Sequence, residues 1–172
     1  MNDVEAFVRQ HLEAEAALSI AALGEPDDDA YLAVEKRAKQ FYAPSSTPLG
    51  PRESRWATPG GTSPHANVDV TESVRPAGVY AIGSVGSDAW VALAGDSRDL
   101  GGVAIAQAVL IRQTPDGLRI AGRAAVDPFT TRITFEPAGG EPVDVGLAEQ
   151  VEILREPTSP EHAEFLRLWG RS

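Results

Sequence analysis

The chain of 172 residues contains no cysteine. Disulfide bonds, thiolate metal sites and cysteine nucleophiles are therefore excluded. Histidine is scarce as well, with three in the whole chain. His65 and Asp69 have a spacing that two metal ligands can have, but two such side chains do not complete a metal site, so we expect no bound metal.

Long apolar runs are also missing. No stretch of about 18 apolar residues occurs, so the sequence predicts no membrane span. Residues 1–5 are acidic and lack the apolar segment of a signal peptide, which makes the cytoplasm the expected location.

Positive charge is in short supply. The chain has 15 Lys and Arg against 25 Asp and Glu, which gives a formal net charge of −10. Such a chain repels phosphate backbones, so we expect no nucleic-acid partner. The same charge fits a well-solvated acidic surface, or an acidic face that docks a basic partner.

The glycine-rich stretches carry no cofactor motif. Residues 58–62 lack the lysine and the spacing of a phosphate-binding loop. Gly83–Gly86 is one residue short of the Gly-x-Ser-x-Gly turn that presents a nucleophilic serine. No dinucleotide fingerprint occurs either, so we expect no cofactor.

Helical patterns open and close the chain. Apolar residues recur at helical spacing from Asp3 to Leu23, and again from Asp27 to about Tyr42. Residues 43–78 lose this period and are rich in proline and glycine, which predicts a long loop or insertion. A terminal helix is expected from Pro160 to Gly170.

Alternating apolar residues predict two β-hairpins. Val79–Val85 and Ala89–Ala94 form the first. Val103–Gln113 and Leu118–Val126 form the second and longer one, around Thr114–Gly117, whose proline and glycine suit a tight turn.

Shorter strands are expected outside these hairpins. They are Val68–Val70, Arg132–Phe135 and Gln150–Leu154. Residues 137–142 read as a turn-rich connector rather than as a strand.

The apolar pattern of the longer hairpin also predicts its register. It pairs Ile111 with Ile120 and so sets Arg112 opposite Arg119 on the other face. Like charges in that position are destabilising unless acidic neighbours, an anionic ligand or solvent neutralise them. A one-residue bulge at Gly117 would remove this pairing.

The order of elements resembles the NTF2-like (cystatin-like α+β) superfamily. A helix ending in Phe41–Tyr42 is followed by Val79–Gly95 as one hairpin and Val103–Val126 as the next, so the resemblance covers residues 1–127. It implies an α+β fold in which N-terminal helices pack on a curved antiparallel sheet that forms a cone. Residues 128–172 would then be a C-terminal extension, packed on the same domain and ending in a helix.

The candidate catalytic residues are His11, Glu15 and Asp127. His11 and Glu15 lie four residues apart within the apolar stripe of the first helix. If that stripe faces a cone, the pair would lie at a pocket wall, where a histidine and a carboxylate can do acid–base chemistry. The alternatives are the solvent edge of the stripe or a buried structural hydrogen bond. Asp127 follows the last long strand, where an Asp-Pro step also serves to start a loop.

The candidate ligand contacts are Arg112, Arg119, Arg123 and Trp56. The three arginines lie on the strands of the longer hairpin, so the face that each occupies depends on the register of that hairpin. Trp56, within the long loop, is most simply an anchor that packs against the core or an interface.

Two functions remain open, because NTF2-like proteins include isomerase-like enzymes, cyclase-like proteins, dimeric adaptors and immunity proteins. The missing catalytic motif and the acidic charge favour a non-enzymatic binding or protein-interaction domain, immunity- or adaptor-like and homodimeric. The alternative is a small-molecule enzyme or carrier that uses the sheet cavity for acid–base chemistry on an apolar ligand. In a weaker variant, the terminal helix binds a partner through Phe165, Leu166 and Trp169 instead of packing on its own sheet.

Overall fold

The computed structural model describes residues 2–23, 28–43, 78–98, 101–137, 141–153 and 160–169. Within these ranges the chain has an α+β fold, with helices first, a mostly antiparallel sheet after them and a helix at the C-terminal end. The helices are α1 (Asn2–Leu23), α2 (Asp28–Lys39), α3 (Leu147–Gln150) and α4 (Pro160–Trp169). The strands are β1 (Val79–Gly86), β2 (Ala89–Arg98), β3 (Ala104–Thr114), β4 (Gly117–Val126), β5 (Arg132–Phe135), β6 (Val143–Gly146) and β7 (Glu152–Ile153).

Both expected hairpins are present. β1 pairs with β2, and β3 pairs with β4, each in antiparallel orientation. Gly117 has a φ of 103°, a left-handed conformation that favours glycine and closes the turn after Pro115 and Asp116. The predicted pairs Ile111–Ile120 and Arg112–Arg119 are confirmed, and the register is unbroken at Gly117.

The strands form two sheets. The larger one has the order β4-β3-β2-β1-β7, and β5 and β6 form a separate two-stranded sheet. Residues 41–43 extend the larger sheet at its β4 edge, because Tyr42 forms a parallel bridge with Ile120. The amide of Ile120 donates to the carbonyl of Phe41 over 2.7 Å, and the amide of Ala43 donates to the carbonyl of Ile120 over 2.9 Å.

This bridge explains why α2 ends earlier than its apolar pattern predicts. The helix stops at Lys39 rather than at about Tyr42. After Lys39 the amides of residues 40–42 bond to carbonyls three residues back, which forms a tight final turn. Tyr42 then pairs with β4, so the sheet edge takes over where the helical pattern would continue.

The C-terminal part departs from the sequence expectation in two places. The strand β6, which follows the expected turn-rich connector at 137–142, was not predicted from the sequence. The expected strand at Gln150–Leu154 is shortened to β7, since Gln150 belongs to α3, and Leu154 lies outside the described residues. The expected strand at Arg132–Phe135 is confirmed.

Apolar residues cover both faces of the larger sheet. On one face, α1 contributes Val4, Val8 and Leu12 to a core that includes Val109 and Ile111. The opposite face packs against the second sheet, α3 and α4. Its core includes the buried residues Ala81, Leu93, Leu110, Phe135, Val145, Leu147, Phe165 and Leu166.

The terminal helix therefore packs on its own sheet through Phe165 and Leu166, with Trp169 partly buried beside them. Among the described residues, no helix is long and apolar enough to cross a membrane. The predicted strand at Val68–Val70 and the loop at 43–78, apart from residues 43 and 78 themselves, lie outside the described residues.

Candidate functional site

The two titratable residues singled out on the first helix come together. His11 Nε2 lies 2.9 Å from Glu15 Oε1, one turn further along α1. The side chain of His11 is fully buried, whereas 21% of the Glu15 side chain is exposed. Both lie between α1 and the sheet.

Tyr42 joins this pair from the end of the α2 connection. Its hydroxyl donates a hydrogen bond to Glu15 Oε1 and lies 3.0 Å from His11 Nε2. Because Nε2 faces a carboxylate and a hydroxyl oxygen, it carries a proton and donates to them. The parallel bridge to Ile120 holds Tyr42 in place, so the sheet edge positions this hydroxyl.

Arg123 reaches the same point from β4. Its Nη1 donates to Glu15 Oε1 and to the Tyr42 hydroxyl, each over 2.8 Å. Its Nη2 lies 3.4 Å from Glu15 Oε2, and its remaining N–H groups face the side-chain oxygen of Gln107 once that amide is oriented to accept them. All N–H groups of this guanidinium are therefore directed at partners within the chain. We call His11, Glu15, Tyr42, Gln107 and Arg123 the Glu15 cluster.

A β-bulge determines that Arg123 faces α1. Ile111 pairs with Ile120, but Leu110 pairs with Gly122, so Ala121 is an extra residue on β4. Regular alternation would place Arg123 on the same face as Arg119, four residues earlier. The extra residue shifts the alternation by one, and Arg123 turns to the α1 face while Arg119 stays on the other.

The cluster strongly perturbs two pKa values. Burial would raise the pKa of Glu15, but the hydrogen bond and electrostatic attraction of His11, together with Arg123 and the Tyr42 hydroxyl, lower it to about 2. Burial, followed by the negative charge of Glu15, raises the pKa of Tyr42 far above its ordinary value. At neutral pH, Glu15 is a carboxylate and Tyr42 is a neutral hydroxyl.

Aromatic rings enclose the buried end of the cluster. The ring of His11 lies edge-on to the rings of Phe41 and Tyr42, with centroid separations of 5.9 Å and 5.4 Å. The rings of Phe7 and Phe41 pack with their centroids 5.5 Å apart. His11 Nδ1 is buried and makes no hydrogen bond to any residue that the structure describes.

Asp127, the third catalytic candidate, does not take part in the cluster. Its carboxylate accepts hydrogen bonds from the amide of Phe129 over 2.8 Å and from the hydroxyl of Thr130 over 3.1 Å. The residue is exposed, and these contacts close the turn that follows β4. This is the loop-initiating role that an Asp-Pro step has in many turns.

The remaining candidates are also apart from the cluster. Arg112 and Arg119 lie on the opposite face of the sheet, and Trp56 lies outside the described residues. In the described ranges, no group of three or more His, Cys, Asp or Glu side chains is arranged to hold a metal ion.

Two members of the Glu15 cluster, Tyr42 and Gln107, were not predicted from the sequence as site residues. Tyr42 was counted among the apolar positions of the second helix, although its hydroxyl needs a partner when it is buried. Gln107 stands alone as a polar residue in the apolar run Ala104–Ile111, and this interruption was the available signal.

No family model, curated protein or solved structure matches the chain. The resemblance to NTF2-like proteins therefore stays a prediction, and any function has to be argued from the geometry above.

Proposed function

We propose that this chain is a non-enzymatic binding domain, NTF2-like in architecture, that recognises a protein partner through its surface. One observation carries the proposal. The polar groups that converge between α1 and the sheet hydrogen-bond one another, and the guanidinium of Arg123 has its N–H groups directed at Glu15, Tyr42 and Gln107.

Such a cluster is poorly suited to proton transfer. A carboxylate whose pKa is about 2 is a weak base at neutral pH. A tyrosine whose pKa is raised is a weaker acid than usual. The role that suits these groups is structural, because their hydrogen bonds hold α1 and residue 42 against β4.

Two surface features support recognition of a protein. Phe129 is 65% exposed at the tip of the turn that Asp127 organises, and a rigid exposed aromatic ring is a typical interface anchor. On the second sheet, the exposed Asp144 forms an ion pair with Arg132 over 2.7 Å, and Glu149 lies near the same arginine, so two carboxylates surround one positive charge. Together with the net charge of −10, these carboxylates suit a partner with a basic surface. The proposal also places the chain in the cytoplasm. A second copy of the chain, forming a homodimer, is the alternative to a different protein partner.

Affinity capture from an extract of the source cells tests this proposal. The wild-type chain is compared with Phe129→Ser and with Asp144→Asn, and Tyr42→Phe serves as a control altered inside the fold. We expect the wild type and the Tyr42→Phe control to retain one protein. Phe129→Ser should fail to retain it, and Asp144→Asn should lose it at high salt. Sedimentation velocity on the purified chain tests the homodimer. Retention unaffected by either surface variant, with a monomeric chain, would contradict the proposal.

A second candidate, an acid–base enzyme or a carrier of a small apolar ligand, is favoured by one observation. His11 Nδ1 is buried without a hydrogen bond to a described residue, so a polar group of a bound ligand would satisfy it. Native mass spectrometry of the purified chain tests this alternative. A bound small molecule that is present in the wild type and absent from His11→Phe would support it, and an unliganded wild type would count against it.

A further inference from the structure

Arg112 and Arg119 form a pair of like charges on the face of the sheet that α1 does not cover. The two residues are directly opposite each other on β3 and β4, and both are half-buried. Side chains in this position have Cβ atoms about 5 Å apart, and like charges there are destabilising. We call Arg112 and Arg119 the arginine pair.

No carboxylate neutralises the arginine pair in the described part of the chain. The ion pairs of that part involve other basic residues, such as Arg123 with Glu15 and Arg132 with Asp144. The chain has 25 acidic residues for 15 basic ones, so the lack of a carboxylate here is not a consequence of a shortage of acids.

The nearest turns do not provide a counter-ion either. Asp88 and Asp116 lie in the two turns at this end of the sheet, are exposed, and form no ion pair with the arginine pair. One hydrogen bond of Arg119 is known, from Nη1 to the carbonyl of Leu118 over 2.7 Å. The guanidinium of Arg112 donates to no group that the structure describes. Most donors of the arginine pair therefore have no acceptor among the described residues, in contrast to those of Arg123.

We propose that the arginine pair binds a phosphate group. Two guanidinium groups on adjacent strands provide two positive charges and planar forks of donors, which match the charge and the oxygen geometry of a phosphate dianion better than those of a single carboxylate. The chain as a whole is acidic and repels anions at long range, so we expect a dissociation constant on the order of 1 mM. The site goes beyond the function proposed above, because it lies on the other face of the sheet from the Glu15 cluster and requires no protein partner.

The test is a titration of the full chain with inorganic phosphate, monitored by NMR. Chloride is replaced by phosphate during the titration so that the ionic strength stays constant. The signals to follow are the backbone amides of Arg112 and Arg119 and the Nε–H groups of the arginines. We expect chemical-shift changes that saturate at the end of the β3–β4 hairpin in the wild type. Arg119→Gln should bind phosphate at least tenfold more weakly. The double variant of Arg119→Gln with Arg112→Gln should show no saturable binding. Arg132→Gln is the matched control, since it removes one positive charge from an exposed ion pair elsewhere, and it should bind like the wild type.

Removal of one like charge should leave the fold intact, and the dispersion of the amide spectrum checks this in each variant. Glycerol phosphate in place of inorganic phosphate distinguishes an organic phosphate from the free ion, and saturable binding of either at the arginine pair supports the proposal. Shifts that do not saturate, shifts that persist in the double variant, or acetate binding as tightly as phosphate would overturn it.

Discussion

Protonation of Glu15 should remove a large and specific part of the stability of this fold. The carboxylate lies between α1 and β4 and receives hydrogen bonds or charge from His11, Tyr42 and Arg123. A proton on Glu15 cancels its attraction to Arg123 and leaves that guanidinium without a counter-ion in a largely buried site. The perturbation is therefore acidification, or the substitution Glu15→Gln at neutral pH.

The magnitude follows from the pKa of Glu15, which is 4.5 ordinarily and about 2 in the folded chain. A carboxyl group whose pKa is lower in the folded state stabilises the fold fully above the unfolded pKa. That contribution is lost as the pH falls from about 4.5 towards about 2. Since each pKa unit corresponds to about 1.4 kcal/mol, the contribution at pH 7 is on the order of 3 kcal/mol, of which about 2 kcal/mol is lost by pH 3.

Urea unfolding at pH 7 and at pH 3 measures this loss as a free energy of unfolding. We expect Glu15→Gln to be about 3 kcal/mol less stable than the wild type at pH 7 and only about 1 kcal/mol less stable at pH 3, because the amide does not titrate. Glu13→Gln is the control, since Glu13 is exposed on the same helix and should track the wild type at both pH values. If the gap between Glu15→Gln and the wild type is the same at pH 3 as at pH 7, the reasoning is wrong.

Two further substitutions test the packing around the cluster and the sheet. Tyr42→Phe removes the hydroxyl that donates to Glu15, and we expect it to cost about 1–3 kcal/mol in urea unfolding; no loss would show that the hydroxyl adds nothing. Gly83→Ala places a Cβ against the main chain of Gln150, so we expect a loss of about 3 kcal/mol and a lower thermal midpoint. Gly86→Ala is its control, with the nearest atom 3.9 Å away, and an equal loss in both variants would refute the steric argument.

The parts of the fold that could be predicted are those governed by local sequence. The turn at Thr114–Gly117 requires a residue with positive φ at its end, and the sequence has a glycine there. The isoleucines at 111 and 120 are matched across that turn, so the register near it followed from the apolar pattern. His11 and Glu15 were identifiable as a pair because a spacing of four residues puts two side chains on one helix face.

The parts that could not be predicted depend on contacts distant in sequence. The position of Tyr42 follows from a bridge to Ile120, and nothing near residue 42 indicates that partner. The bulge at Ala121 lies where β4 contacts β5 of the second sheet, which is distant in sequence from α1 and from the turn. On the second-sheet side, a Cβ at Gly122 would lie only 3.0 Å from the ring of Phe135. A sequence argument based on regular alternation therefore could not assign the face of Arg123.

This bulge also decides where a ligand should be sought. With regular alternation, Arg119 and Arg123 would lie on one face, and three arginines would compete for the same anion. With Ala121 inserted, Arg123 is neutralised by Glu15 on the α1 face. Arg112 and Arg119 remain together on the other face, where no carboxylate of the described residues pairs with them. A polar cluster whose members satisfy one another explains how α1 is held, but it has few donors left to bind anything else. The charges of Arg112 and Arg119 are the more informative feature, because the fold tolerates their repulsion although only one hydrogen bond, from Arg119 to the carbonyl of Leu118, joins them to the described residues.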